Sequence, residues 1–456
     1  MGAGTREGLT DSGAVSAAHA RHPHRIVVVG GGAAGLELAT RLGDMLGRRG
    51  LADIALIERG RTHLWKPLLH SIAAGSLDAS EHQLDYLAQA HWHHFRYHYG
   101  AMIGLDRAQK TVQAAATFDE EGRQIALPRD IPYDTLVIAI GSVTNDFGAP
   151  GAAEHAVPLE TAEQAVRFNH RMVNALLRAQ SQGDPIRSGQ LPVAIVGAGA
   201  TGTELAAELH ETAREAVSYG LDQVDPDKDI RIILIEAAER ILPALPERVA
   251  KATFALLKKL GVEVRTKAAV RAVRADGVAL ANGEFIAAEL VVWAAGVKGP
   301  EVLTHLDGLE VNRANQLVVL PTLETTRDPD IFAIGDCAAC PREGFSAPVP
   351  PRAQAAHQQA AHLAKQLRRR LDGSRLHPFF YRDFGSLVSF GRLGAVGNLM
   401  NLVLRGDLFV EGVLARWMYR SLYLMHERAL HGVVKAALGA FARGVSWRAE
   451  PKVKLH

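Results

Sequence analysis

The sequence is poor in cysteine. Cys337 and Cys340 are the only two in 456 residues, which excludes a secreted fold built on disulfides. Long hydrophobic runs are missing as well: no uncharged apolar stretch reaches the roughly 20 residues of a membrane-spanning helix. Net charge is only +2, without the basic surplus of a nucleic-acid binder. Met1 to His24 is rich in Gly, Ala, Ser and Thr and has no apolar core, so it reads as a disordered tail rather than a signal peptide. The small net charge hides an asymmetry. From Arg392 to the end there are ten Lys or Arg and four Asp or Glu, a surplus of six, which leaves the rest of the chain at about −4. A basic tail on a mildly acidic body suits an anionic surface, a membrane first of all.

What is present is glycine in a particular arrangement. Ile26-Val-Val-Val29 runs into Gly30-x-Gly32-x-x-Gly35 and then the helical pattern Leu36, Leu38, Ala39, Leu42. A buried strand, a tight turn and a helix start make a pyrophosphate site. Gly30 permits the turn, Gly32 lets the backbone approach the phosphates, and Gly35 lets helix and strand pack closely. The helix N-terminus adds free N–H groups. One strand later Ile54-Ala-Leu-Ile57 ends in Glu58, the acid expected on a ribose hydroxyl. The pattern then repeats. Pro192-Val-Ala-Ile-Val196 leads into Gly197-x-Gly199-x-x-Gly202, and Ile230-Arg-Ile-Ile-Leu-Ile235 ends in Glu236. Two complete units imply two dinucleotides facing each other.

Three further strands complete the pattern. Tyr133 to Gly141 and Leu290 to Gly296 are apolar and end on glycine, and Asp330-Ile-Phe-Ala-Ile-Gly335-Asp336 ends on Gly-Asp. An aspartate there points into the ligand crevice of an open sheet. The expected fold is α/β, two Rossmann-like dinucleotide-binding domains with a C-terminal amphipathic helical segment. Its divisions are a tail over 1–24, a first domain over 25–155 resuming over 296–385, a second domain over 156–295, and a membrane-associated region over 386–456. Leu84 to Tyr99 carries His91, His93, His94 and His98 without Cys or acid at ligand spacing, so a strand with exposed histidines is expected there and no metal.

Taken together these motifs resemble the flavoprotein reductases with two dinucleotide domains, and within them type II NADH dehydrogenase, the single-subunit, non-pumping NADH:quinone oxidoreductase. The similarity runs from about Arg25 to the C-terminus. It is carried by Lys66-Pro-Leu-Leu-His70 with Ala73-Ala-Gly75, Ile140-Gly-Ser-Val-Thr144, Gly199-Ala-Thr-Gly-Thr-Glu204, Ile241-Leu-Pro243, Gly335-Asp-Cys-Ala-Ala-Cys340 and Ala353-Gln354-Ala-Ala-His-Gln358. The resemblance implies FAD on Gly30, Gly32, Gly35 and Glu58, with Gly141 and Asp336 at the ribityl chain. It implies NADH on Gly197, Gly199, Gly202 and Glu236, with Gly296 beside it. Glu236 would repel a 2′-phosphate, although Arg240 is near. Glu204 would position the reactants or supply a proton, and Gln354 and Gln358, one helical turn apart, would donate to quinone carbonyls. His357 beside them is a proton donor or a bland exposed histidine. Members often have a basic residue between Asp383 and Gly385. This chain has Phe384, so no cationic contact is expected from that position.

The implied reaction is hydride transfer from NADH to FAD and two electrons onward to a membrane quinone, without proton pumping. Its rivals are a sulfide:quinone or other flavin reductase of this fold, and a flavin-bearing NADH redox sensor. The cysteines stand away from where disulfide or sulfide chemistry needs them, and are read as small buried residues behind Asp336. In the basic tail, Arg416, Arg420, Glu427 and His431 fall on one stripe of a helix over Leu408 to His431, with Val413, Leu414, Trp417, Met418, Leu422, Leu424 and Met425 opposite. Such helices suit the interfacial plane of a membrane, or a dimer interface. The expectation is a peripheral protein, a homodimer, on the cytoplasmic face.

Overall fold

A computed structural model describes residues 22–184, 186, 190–391, 394–400, 407–446, 451, 453 and 454. The expected disordered tail therefore lies outside the described residues up to position 21.

Two open sheets carry the molecule. The first has the order Glu324–Thr325, Asp328–Ala333, Thr135–Ile138, His24–Val29, Ala52–Glu58, Arg96–Tyr99, parallel throughout except for the first pair. It joins chain segments from both ends of the sequence. The second has the order Ala156–Pro158, Leu290–Trp293, Leu191–Val196, Ile230–Ile235, Glu263–Arg265, all parallel. Runs such as Thr135–Ile138 and Leu191–Val196 are buried along their whole length, because helices cover both faces of a parallel sheet. In each sheet the glycine turn follows a central strand, at the crevice beyond the strand ends where an open sheet binds its ligand. Val143–Thr144 and Val297–Lys298, which directly follow the two glycine-ended strands, pair antiparallel with each other.

Two stretches fold differently from the sequence expectation. Leu84 to Tyr99 is not one strand. Asp85 accepts the Ala88 N–H and caps a helix over Tyr86–Trp92, whose Tyr86, Gln89 and Ala90 are buried, and only Arg96–Tyr99 is extended in the sheet. Spacing by three and four outweighed the β-propensity of the aromatics. Leu408 does not begin a helix either. Asp407–Glu411 is the edge of an antiparallel sheet with Ser386–Ser389 and Ala395–Met400. The helix spans Gly412–Ser446, broken at Gly432, whose φ of 75° and ψ of 172° no helix contains. No described helix is long and apolar enough to cross a membrane.

Candidate active site

The two glycine turns are built alike. Gly30 and Gly197 lie at φ of 100° and 102°, a region that favours glycine. A Cβ on Gly35 would stand 1.8 Å from the Gly30 carbonyl oxygen, and one on Gly202 would stand 1.9 Å from that of Gly197. Helix and strand therefore touch backbone to backbone. At Gly32 and Gly199, which begin the helices Ala33–Met45 and Ala200–Ser218, a Cβ would meet nothing within 4 Å. Each turn is closed on its protein side and open at the helix N-terminus, as a pyrophosphate cradle requires. The acids also match. Glu58 Oε2 accepts the Gly31 N–H at 2.5 Å and its Oε1 that of Gly60 at 3.0 Å. Glu236 accepts from Ala198 and Ala238 at 2.9 and 2.8 Å. Each carboxylate is fixed against its turn by its own backbone.

Arg240 is committed elsewhere. Its guanidinium donates to the carbonyls of Leu242, Pro243 and Leu245, so it adds no free cation beside Glu236. Gly296, at φ 65°, lies against the ring of Phe147. Gly141, at φ 71°, leaves room for the Lys66 ammonium, which donates to the Ser142 carbonyl at 3.1 Å. The Ser142 hydroxyl donates to Asp336 Oδ2 at 3.0 Å. Burial raises the Asp336 carboxyl, while Ser142 and the Lys66 charge pull it back. Gln359, missed in the sequence, accepts the Gly335 N–H at 2.7 Å and fixes the turn that carries Asp336.

Behind the first cradle the Gly31 carbonyl accepts from Tyr86 Oη at 2.7 Å and from His63 Nδ1 at 2.9 Å. A carbonyl only accepts, so Nδ1 carries the hydrogen. His63 Nε2, the lone-pair nitrogen, then accepts from His426 Nε2 at 2.9 Å. Burial holds both imidazoles neutral, His63 down to about 4 and His426 well below its ordinary value. The C-terminal helix is thereby joined to the first turn through a histidine pair that no local motif announces.

The helix Ala353–Leu371 organises the other side. Both expected quinone amides hold one loop. Gln354 donates to the Gly385 carbonyl at 3.0 Å and accepts from Phe384 N at 3.2 Å. Gln358 donates to the Arg382 carbonyl at 2.8 Å and accepts its N–H at 3.0 Å. His357 is neither bland nor free: its Nδ1 meets Glu37 Oε2 at 2.6 Å, and the fully buried Glu37 also takes Arg41 at 2.7 Å. Phe384 brings no charge to the loop, but Arg352 Nη1 lies 3.5 Å from Asp383 Oδ2.

Glu204 is buried, and its Oε1 accepts the Ser389 N–H at 2.9 Å. Burial pushes its carboxyl up to about 7, against the pull of His70 and the Ser389 N–H. Glu208, one helical turn further on, is buried as well. Cys337 and Cys340 are free and fully buried, and burial pushes their thiols up to about 12 and about 11, as expected of packing residues. Among the described residues no group of three or more His, Cys, Asp or Glu could hold a metal.

The family described as pyridine nucleotide-disulphide oxidoreductase matches residues 24–360. The type II NADH:quinone oxidoreductase of Haemophilus influenzae is 42% identical over 443 residues, covering 94% of this chain and 99% of its own. The chain belongs to the type II NADH:quinone oxidoreductases. A Mycobacterium tuberculosis member, Ndh, is 29% identical over 88% of this chain and 84% of its own. Among solved structures, NDH2 from Plasmodium falciparum in complex with NADH shares the fold at a TM-score of 0.77 and 18% identity, covering 94% of this chain and all of that one. The sulfide:quinone oxidoreductase from Aquifex aeolicus shares it at 0.69 and 19%, over 94% and 96%. This type II family membership agrees with two cradles and inert cysteines.

Proposed function

We propose that this protein oxidises NADH and delivers two electrons through FAD to a membrane quinone, without pumping protons. The observation that carries the reading is the matched pair of cradles, each open only at its second glycine. Gly30, Gly32, Gly35 and Glu58 hold the ADP part of FAD, and Asp336, aligned by Ser142, Lys66 and Gln359, takes the ribityl chain. FAD, when bound, accepts hydride and passes electrons on singly or in pairs. Gly197, Gly199, Gly202 and Glu236 hold NADH. Glu204 keeps a proton at its carboxyl near neutral pH and gives it up inside the protein. Gln354 and Gln358 shape the quinone entrance by holding the 382–385 loop in place.

The direct test is quinone-dependent NADH oxidation by the purified flavoprotein. With Glu236 fixed and Arg240 spent, kcat/KM for NADPH should fall below that for NADH by about 100-fold or more, since like charges brought together cost several kcal/mol. Equal use of both would overturn this assignment of Glu236. Gln354→Ala should free the loop. KM for a soluble quinone analogue should then rise about tenfold or more, the size of one or two lost hydrogen bonds, while the rate of flavin bleaching by NADH stays within about twofold. An unchanged quinone KM would remove Gln354 from the site.

The C-terminal helix supports a peripheral membrane reading. Its face carrying His426, Glu427 and Leu430 is buried against the body, Glu427 pairs with Arg443 at 2.5 Å, and Gln89 donates to the Leu430 carbonyl. Its apolar stripe faces out, with Leu422, Leu424, Met425, Val433, Val434, Leu438 and Phe441 exposed. Arg416, Arg420 and the apolar side chains over 413–418 lie outside the described side chains. Exposed Trp92, with the Lys435 ammonium 4.7 Å from its ring centre, adds an interfacial pair. A contiguous apolar face beside basic residues fits lipid. We place it on the cytoplasmic face, where NADH is met, and a homodimer would present two such faces together.

A further inference from the structure

His70 lies on the short helix Leu69–Ala74 with a carboxylate at each ring nitrogen. Glu204 Oε2 is 3.4 Å from Nδ1, and Glu208 Oε2 is 3.4 Å from Nε2. All three side chains are buried. Glu204 and Glu208 are four apart on Ala200–Ser218 and share a face. Two carboxylates this close out of water repel unless a proton is shared along the row, and His70 stands between them. At the outer end Glu208 accepts from the Ser71 hydroxyl at 3.0 Å and from the Ser76 hydroxyl, and both serines are half-buried. At the inner end Glu204 accepts from Ser389, four residues beyond the loop that Gln354 holds. The row therefore runs from half-buried serines to the carboxylate that the NADH:quinone reading sets beside the reactants.

Resting on the NADH:quinone reading, we propose that Glu208, His70 and Glu204 form a relay that brings in the proton consumed when quinone is reduced. The balance requires one. NADH, a quinone and one proton give NAD+ and a quinol. The nicotinamide C–H bond breaks and supplies two electrons and one hydrogen nucleus, while two O–H bonds form, so the second hydrogen comes from water. Along the row, Glu208 gives its proton to His70 Nε2, and Nδ1 gives one to Glu204. Glu208 is reprotonated from the Ser71 and Ser76 side, and a turn of the imidazole restores the starting tautomer. Hydride transfer from NADH needs no such delivery. The relay therefore acts on one half of the reaction only, which a merely structural triad would not do.

The test is anaerobic stopped-flow absorbance on the purified holoenzyme, with His70→Gln and Glu208→Gln beside the wild type. In both variants bleaching by NADH should stay within about twofold of wild type. Re-oxidation by a soluble quinone analogue should slow about 100-fold, the usual weight of a positioned proton donor, with a larger solvent isotope effect. A readout apart from turnover is the infrared carbonyl band of a protonated carboxylic acid. It should vanish in Glu204→Gln and titrate at a shifted pH in His70→Gln. Wild-type re-oxidation rates in both variants, or equal slowing of both halves, would overturn the relay. If His70→Gln does not hold its flavin, Glu208→Gln decides alone, since glutamine keeps the volume of that side chain and an oxygen for the Ser71 and Ser76 hydroxyls. A wild-type protein bleached by NADH that no quinone re-oxidises would instead remove the underlying reading.

Discussion

Gly32→Val should give a folded, colourless protein, and Gly199→Val a yellow one that NADH does not bleach. Neither substitution strains the backbone. Gly32 has φ −67° and ψ −170°, and Gly199 has φ −73° and ψ −169°, extended values any residue adopts. A Cβ at either site has no protein atom within 4 Å, so the added side chain starts out into open space. What each would meet is the pyrophosphate of its dinucleotide. Flavin content of Gly32→Val after purification should fall at least about tenfold, equivalent to about 1.4 kcal/mol, with far-ultraviolet circular dichroism unchanged. In Gly199→Val flavin should be retained and the bleaching rate at fixed NADH should fall about 100-fold. Gly35→Val and Gly202→Val serve as contrasts. Their Cβ atoms would overlap carbonyl oxygens, so these variants should lose the fold of the turn as well as the ligand. Wild-type bleaching in Gly199→Val would mean that the second cradle does not hold NADH.

Replacing Val434, Leu438 and Phe441 together by Asp should release the protein from vesicles of mixed neutral and anionic lipid. Each of the three is more than 60% exposed, so the change touches little of the folded core. Burying such side chains contributes about 1.5–3 kcal/mol apiece, and three new carboxylates add repulsion from anionic lipid. Binding should drop by at least about 100-fold, while bleaching of the soluble protein by NADH stays as it was. Retained binding would move the docking face elsewhere, and a change from dimer to monomer in sedimentation would assign this stripe to a partner copy. Acid pH should stabilise the fold modestly through Glu204. Its carboxyl is raised to about 7 from an ordinary 4.5, so its contribution is full below the ordinary value and is lost as pH rises through about 7.

The parts of this molecule that were legible in the sequence are those written locally. A glycine spacing next to a strand fixes a turn, so both cradles, Glu58, Glu236 and the strand ending at Asp336 could be read directly. Contacts between distant segments could not. His63 and His426 are 363 positions apart, and each alone is an ordinary histidine. Nothing local marks Glu208 as buried either; its helix face is covered by Leu69–Ala74, packed against it from another part of the chain. Gln354 and Gln358 were singled out by the resemblance, and their spacing put them on one helix face, but neither shows which partner an amide faces; the loop at 382–385 took both. Of the polar stripe expected on the last helix, Glu427 turns inward to Arg443, and beside it His426, which that stripe did not include, turns inward to His63; helical periodicity shows neither partner.

The central claim is most directly tested by mixing the purified, FAD-loaded wild-type protein anaerobically with NADH and then with a soluble quinone, following flavin absorbance. The expected result is fast bleaching by NADH, fast recovery with quinone, and a recovery rate that falls as pH rises through about 7. No bleaching by NADH, or bleaching that quinone leaves unrecovered, would contradict it.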